Sequence, residues 1–160
     1  MNKAEAFATH WHGSQVRKYT GEPYVEHCRE IVEILKGVPH TEDMITAAWL
    51  HDVLEDTECD WETLYKTFGV NVTCIVMALT DCDKELGKRS FRKALDRQRL
   101  ACAEADVQTI KLADLISNTK SIVEHDPKFA KTYLAEARML LDVLVKGDES
   151  LRDRLLAKLS

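Results

Sequence analysis

Apolar residues recur along most of this chain at helical spacing. The clearest stretch holds Tyr133, Leu134, Ala137, Leu140, Leu141, Leu144 and Val145. Its i, i+3, i+4, i+7 pattern gathers one apolar stripe on one face of a helix. Gly147 predicts the end of that helix, and Ser150 the cap of a short final one. Upstream, Val25 to Leu35 reads as a helix stopped by Gly37 and Pro39, and Thr41 with Glu42 and Asp43 opens the next. Trp61 to Phe68 is short and halts at Gly69. Val70 to Leu79 is apolar and rich in β-branched residues, a composition that favours strands. It is read as helix because a lone strand would find no partner in this chain. Phe91 to Ala105 and Val107 to Val123 complete the series. The pattern predicts an all-α bundle of eight or nine helices, without a sheet.

The helix opened at Thr41 is predicted to run into an acidic cluster. The stretch reads Ala47-Ala48-Trp49-Leu50-His51-Asp52-Val53-Leu54-Glu55-Asp56-Thr57. On a continuous helix His51 and Glu55 are i,i+4, as are Asp52 and Asp56, and the four polar groups fall within an arc of roughly 140°. The turn before them is apolar, so the helix is expected to cross a core. Buried charge is costly unless it is paired or coordinates a metal. A histidine among carboxylates in a core therefore points to a metal site. A second pair, His125-Asp126, is followed by Pro127 and reads as a helix start, with Asp126 the N-cap and Pro127 at N1.

Composition narrows the classes. The 160 residues suit a single domain, 1–160, with a real core. A net charge of −5 disfavours nucleic acid and anionic membranes as partners but admits a small phosphorylated substrate in a local basic pocket. The five cysteines, at 28, 59, 74, 82 and 102, show no CxxC and no disulfide spacing, which suggests reduced thiols in a cytoplasmic protein. Neither a signal peptide nor a membrane span is expected.

Four ligand candidates stand out: His27, His51, Asp52 and Asp114. Two imidazoles and two carboxylates suit Mn²⁺, Fe²⁺ or Mg²⁺ better than a structural Zn²⁺ site, which favours cysteine. The irregular segment Tyr19-Thr20-Gly21-Glu22-Pro23-Tyr24 lies between the basic pair Arg17-Lys18 and His27, and loops of this kind concentrate functional groups.

The order His27 … His51-Asp52 … Asp114 resembles the HD metal-dependent phosphohydrolases. More closely, the chain is similar to the alarmone hydrolase domain of the RelA/SpoT homologues and their small stand-alone relatives. The matching strings are His12-Gly13-Ser14-Gln15-Val16-Arg17-Lys18, Gly21-Glu22-Pro23-Tyr24-Val25-Glu26-His27, the 47–57 stretch above, Phe68-Gly69, and Ile110-Lys111-Leu112-Ala113-Asp114-Leu115-Ile116-Ser117-Asn118. The resemblance implies that His27, His51, Asp52 and Asp114 hold one divalent cation, usually Mn²⁺. It implies that Glu55 and Asp56 assist a metal-bound water. Arg17 and Lys18 would lie against the guanine base and substrate, with Tyr24 available to pack on a base or ribose. Asn118 would orient the ribose or phosphate end. The implied reaction removes pyrophosphate from the ribose 3′ position of guanosine tetra- or pentaphosphate. The chain has no room for a synthetase domain, so hydrolysis alone is expected.

Two stretches depart from the family pattern. Thr80 is followed by Asp81-Cys82-Asp83-Lys84, without the basic residue often found there. Asp114 is followed by Leu115-Ile116-Ser117-Asn118-Thr119-Lys120, where the long enzymes carry Arg and His. Two alternatives therefore stand beside the alarmone reading: an HD hydrolase of another nucleotide or dinucleotide phosphate, and a catalytically idle nucleotide-binding HD domain. Retention of Glu55-Asp56 argues against the second. Residues 125–160 carry no transferable motif.

Overall fold

The computed structural model describes residues 1–160 and is helical apart from its connections, with a single isolated bridge between Val16 and Pro23. There are ten α segments. One is a single turn, so nine are longer, as the apolar pattern predicts. No helix is long and apolar enough to cross a membrane. The chain divides into two units, Met1–Thr80 and Asp81–Ser160.

The first unit contains α1 (Lys3–His12), α2 (Val25–Lys36), α3 (Glu42–Leu50), α4 (Val53–Asp56), α5 (Trp61–Phe68) and α6 (Val70–Leu79). Helix α3 is its centre and packs on α1, α2 and α6. Thr41 starts α3 as expected, its side chain accepting from the Met44 N–H. The core closes around Ala8, Ile31, Leu35, Ala47, Ala48, Leu50, Leu64 and Val76. The β-branched run of α6 is a helix because its buried residues, Val72, Ile75, Val76 and Leu79, fall on one helical face. Packing on neighbouring helices overrides local strand propensity there.

The expectation of one continuous helix through the acidic cluster is corrected. Helix α3 ends at Leu50, and α4 begins at Val53. Asp52 departs from helical geometry, with φ −105° and ψ 3°. The His51 ring turns back onto the Ala48 carbonyl at 2.8 Å. The Asp52 carbonyl instead accepts from the Asp56 N–H at 2.9 Å and starts the new turn. The four polar groups therefore sit across a bend rather than along one face.

The second unit contains a 3₁₀ turn at Lys84–Leu86, then α7 (Arg89–Ala101), α8 (Ala105–His125), α9 (Pro127–Val143) and α10 (Glu149–Leu159). Helix α8 packs on α7, α9 and α10, around Leu100, Ile110, Leu112, Leu144, Leu155 and Leu159. Asp126 caps α9 through the Phe129 N–H, with Pro127 in the first turn, as the His125-Asp126-Pro127 string predicts. Two expectations shift nearby. The cap of α10 is Asp148, not Ser150. Helix α9 stops at Val143, before Gly147, because the link beyond it is drawn onto α8. The Lys146 N–H donates to Gln108 Oε1 at 2.8 Å and the Asp148 N–H to Thr109 Oγ1 at 3.0 Å. A Cβ at Gly147 would lie 2.5 Å from Leu112 Cδ1, so a larger residue there would force that buried side chain to shift.

Gln108 is fully buried and also donates to the Leu100 carbonyl at 2.9 Å, so one side chain ties the end of α7 and the α9–α10 link to α8. Gln108→Leu would strand the part-buried Lys146 N–H and leave the Leu100 carbonyl with the Ala103 N–H as its remaining donor. It should lower stability by about 2–4 kcal/mol, read as a reduced urea midpoint at unchanged slope.

Candidate metal centre

Helix α2 delivers His27 from its first turn, where the His27 N–H donates to the Tyr24 carbonyl at 3.0 Å. The bend after α3 delivers His51. Both are deeply buried, at 2% and 3% exposure. Their rings pack edge to face with centroids 5.3 Å apart, and ligand nitrogens of the two lie within 4.8 Å of each other.

The protonation of His51 follows from its contacts. A carbonyl oxygen only accepts, so Nδ1 carries the hydrogen that reaches Ala48. In the neutral ring Nε2 then presents a lone pair, and it lies 2.9 Å from Asp52 Oδ2. That carboxylate oxygen also accepts a short hydrogen bond from the Tyr24 hydroxyl. An imidazole lone pair facing a carboxylate at this spacing is unfavourable unless a cation or proton lies between them. Adjacent ligands on one ion, with bonds of about 2 Å, stand about 3 Å apart. A backbone carbonyl fixing the far nitrogen is the usual support for a metal-ligating histidine. The donor set of His27, His51 and Asp52 thus fits a divalent cation.

Beyond the bend, Glu55 and Asp56 are exposed residues on α4. The Asp56 carboxyl is pushed above the usual carboxylate range by desolvation and then by Asp52, against the pull of a hydrogen bond from Gln15. The loop that precedes α2 is a tight turn. The Arg17 N–H donates to the Glu22 carbonyl at 2.8 Å, and the Gly21 N–H to the Arg17 carbonyl at 3.1 Å. Gly21 allows this with φ +73°. The Arg17 guanidinium is 3.0 Å from Glu30 and 3.8 Å from Glu22. Lys18 is exposed, its ammonium 5.3 Å from the centre of the Tyr19 ring. Tyr24 turns its hydroxyl inward to Asp52, with its ring beside His12 and His27.

In the second unit, α8 carries Asp114 and Asn118 one turn apart. Asp114 is buried, at 7% exposure. Its Oδ2 lies 3.0 Å from Lys111 Nζ, and its Oδ1 accepts from Asn118 Nδ2 at 3.1 Å. Burial opposes the charge on Lys111, but the carboxylates of Asp114 and Asp81 outweigh it and hold the ammonium above its ordinary pKa. Burial and Asp114 likewise push the Tyr133 phenol up, while a hydrogen bond with Asn118 works the other way.

Sequence reasoning gave no role to His12, Gln15, Lys111 or Tyr133. Three of them stand inside the strings that carry the resemblance, three residues apart (His12 and Gln15) or three before Asp114 (Lys111). Tyr133 had no such signal, because it reads as one more position of an apolar stripe.

Comparison with known proteins places the chain. A family model described as an HD domain matches residues 4–140. The guanosine-3′,5′-bis(diphosphate) 3′-pyrophosphohydrolase MESH1 of Drosophila melanogaster is 36% identical over 124 residues, covering 76% of this chain and 68% of that protein. The guanosine-3′,5′-bis(diphosphate) 3′-pyrophosphohydrolase of Aquifex aeolicus is 34% identical over 127 residues, and the match spans only 18% of its length. A solved structure of a metazoan SpoT ortholog, described as hydrolysing ppGpp, superposes with a TM-score of 0.88 at 30% identity, covering 98% of this chain and 91% of that one. A Listeria monocytogenes structure at 22% identity and a TM-score of 0.74 shares the fold. With the imidazole–carboxylate arrangement of its first unit, the chain belongs to the HD-domain family, among proteins related to the ppGpp 3′-pyrophosphohydrolases of the RelA/SpoT group.

Proposed function

We propose that this chain is a divalent-metal-dependent phosphohydrolase that removes pyrophosphate from the ribose 3′ position of guanosine tetra- or pentaphosphate. One observation carries the metal-dependent part: His51 Nε2 faces Asp52 Oδ2 at 2.9 Å, beside a second buried imidazole. The substrate is supported by relatives named for that reaction. In this proposal His27, His51, Asp52 and Asp114 hold one cation, Mn²⁺ before Mg²⁺ or Fe²⁺. Residues 1–160 act as one HD-type domain, a reading supported by the family match across 4–140. Five free cysteines support a reducing, cytoplasmic setting.

When bound, the cation supplies Lewis acidity, which makes a nearby water acidic and offsets phosphate charge. Glu55 takes the proton of that water, and Asp56 holds its orientation. Asp114 enters with its carboxylate already oriented by Lys111 and Asn118. Asn118 meets the ribose or phosphate end through the rest of its amide. Lys18, exposed on the turn, counters the anionic nucleotide, while Arg17 and Tyr24 form the wall behind it. A local positive group is needed because the net field of the chain, −5, repels an anion.

A second reading keeps the chemistry and changes the nucleotide. It is favoured by Arg17, whose charge is largely answered by Glu30 and Glu22. A panel of nucleotides with Mn²⁺, scored for phosphate and pyrophosphate release, decides between the two. Pyrophosphate from guanosine tetraphosphate supports the first. Its absence, with turnover of another nucleotide, supports the second.

The division of labour gives two further outcomes. Asp52→Asn and Asp114→Asn should each lose bound metal and activity together, by elemental analysis and turnover. Glu55→Gln should keep most of the metal and slow turnover by roughly 10²-fold. Equal metal loss in all three would remove Glu55 from the proton-transfer role. Lys18→Ala should raise KM several-fold, about 1 kcal/mol of lost ground-state binding, with kcat little changed. A fall in kcat at constant KM would place Lys18 in the chemistry instead.

A further inference from the structure

Two polar side chains in the first unit have no part in the reaction proposed above. His12 is the last residue of α1 and is 6% exposed. Its Nδ1 lies 2.8 Å from Gln15 Oε1. Its Nε2 is buried without a hydrogen-bond partner. Its ring packs on Tyr24, centroids 4.7 Å apart, and the Tyr24 hydroxyl donates to Asp52. Gln15 in turn lies beside the Asp56 carboxyl and works to lower its pKa, so its amide is within reach of that group.

The direction of these bonds is fixed by elementary chemistry. A carboxylate only accepts, so Gln15 must offer its NH₂ group to Asp56. The amide is planar, so its Oε1 then points away from Asp56, toward His12. An acceptor there requires a donor, so His12 carries its hydrogen on Nδ1. The bare Nε2 is the cost of that tautomer, a buried acceptor left without a donor. The backbone reinforces the arrangement. Gly13, at φ +54°, ends α1. The Gln15 N–H then donates to the His12 carbonyl at 2.9 Å, and the Gln15 carbonyl accepts from the Tyr24 N–H at 3.0 Å. Gln15 is thus held at both backbone groups before its side chain makes a contact.

We infer that His12 and Gln15 are positioning residues for the acidic turn: the Nδ1–H tautomer of His12 locks the Gln15 amide in one orientation, and that amide fixes the Asp56 carboxylate. The inference rests on the role given to Asp56 above. A purely structural role would show as lost stability alone. Positioning has a different signature, because a small misplacement at the reacting centre costs turnover without costing affinity.

The test compares four variants with the unaltered protein, using guanosine tetraphosphate with Mn²⁺. His12→Phe keeps the ring packing and removes the donor, and Gln15→Leu removes the amide. Each should lower kcat about tenfold or more, with KM, bound metal and melting temperature nearly unchanged. His12→Asn places an N–H near the lost Nδ1–H and should restore most of the loss. The double variant His12→Phe/Gln15→Leu should be no worse than Gln15→Leu alone, since both act through one bond. Unchanged kcat in both single variants, or an Asn variant as impaired as Phe, overturns the inference. A second readout does not depend on the substrate. The ¹⁵N NMR spectrum of the imidazoles should show His12 as the Nδ1–H tautomer, shifting on Gln15→Leu. An Nε2–H tautomer in the unaltered protein overturns the inference even if the tetraphosphate proves not to be hydrolysed, an outcome that would count against the proposed substrate alone.

Discussion

The bend at His51 is the constraint on which the site depends. A buried imidazole has two nitrogens to satisfy, and here the Ala48 carbonyl takes one of them. That bond also ends α3, because the ring leaves the helix by folding back over its last turn. The other nitrogen is then aimed, with no freedom left, at the Asp52 carboxylate. The first-unit groups proposed for the reaction are arranged around this commitment. Helix α2 brings His27 against the ring, Tyr24 steadies Asp52, and α4 restarts just in time to present Glu55 and Asp56. The apolar residues of α3, Ala47, Ala48, Trp49 and Leu50, keep water out of this corner.

The two units handle their inward-facing carboxylates in contrasting ways. In the second unit the charge is answered locally. Asp114 has Lys111 and Asn118. Asp96 accepts from the Cys82 N–H at 2.9 Å and from Arg99 at 2.7 Å, which holds its carboxyl below the usual range although burial works against it. In the first unit, Asp52 faces a lone pair as well as a donor. Buried ionic groups are tolerated when paired and hydrogen-bonded. A carboxylate set against an imidazole nitrogen is an arrangement that a cation or a proton would relieve, and the neighbouring Asp56 carboxyl is raised by burial and by Asp52.

Much of this was legible in the sequence. Eight of the nine longer helices, all but α1, together with the caps at Thr41 and Asp126 and the structural reading of His125-Asp126, follow from periodicity and capping chemistry, which act over a few residues. So did the choice of helix for Val70 to Leu79, although there the argument was topological rather than local. The matching strings singled out His51, Asp52, Glu55 and Asp56 because the motif is short and contiguous.

Tertiary structure decided the rest. The sequence pattern continues smoothly from Trp49 to Asp56, and only the demand of a buried ring for the Ala48 carbonyl breaks the helix there. The end of α9 moved from Gly147 to Val143 because Gln108 and Thr109, almost forty residues upstream in sequence, draw the link onto α8. The resemblance set Arg17 against the substrate, and the fold pairs it with Glu30, thirteen residues away. The His12–Gln15–Asp56 chain joins residues forty-four positions apart in sequence, and no periodicity encodes it. Local rules fix which helices form and where charged groups lie along them. Which buried atom each group meets is set by packing between segments distant in the chain, because hydrogen-bond satisfaction in a core is a property of the assembled fold.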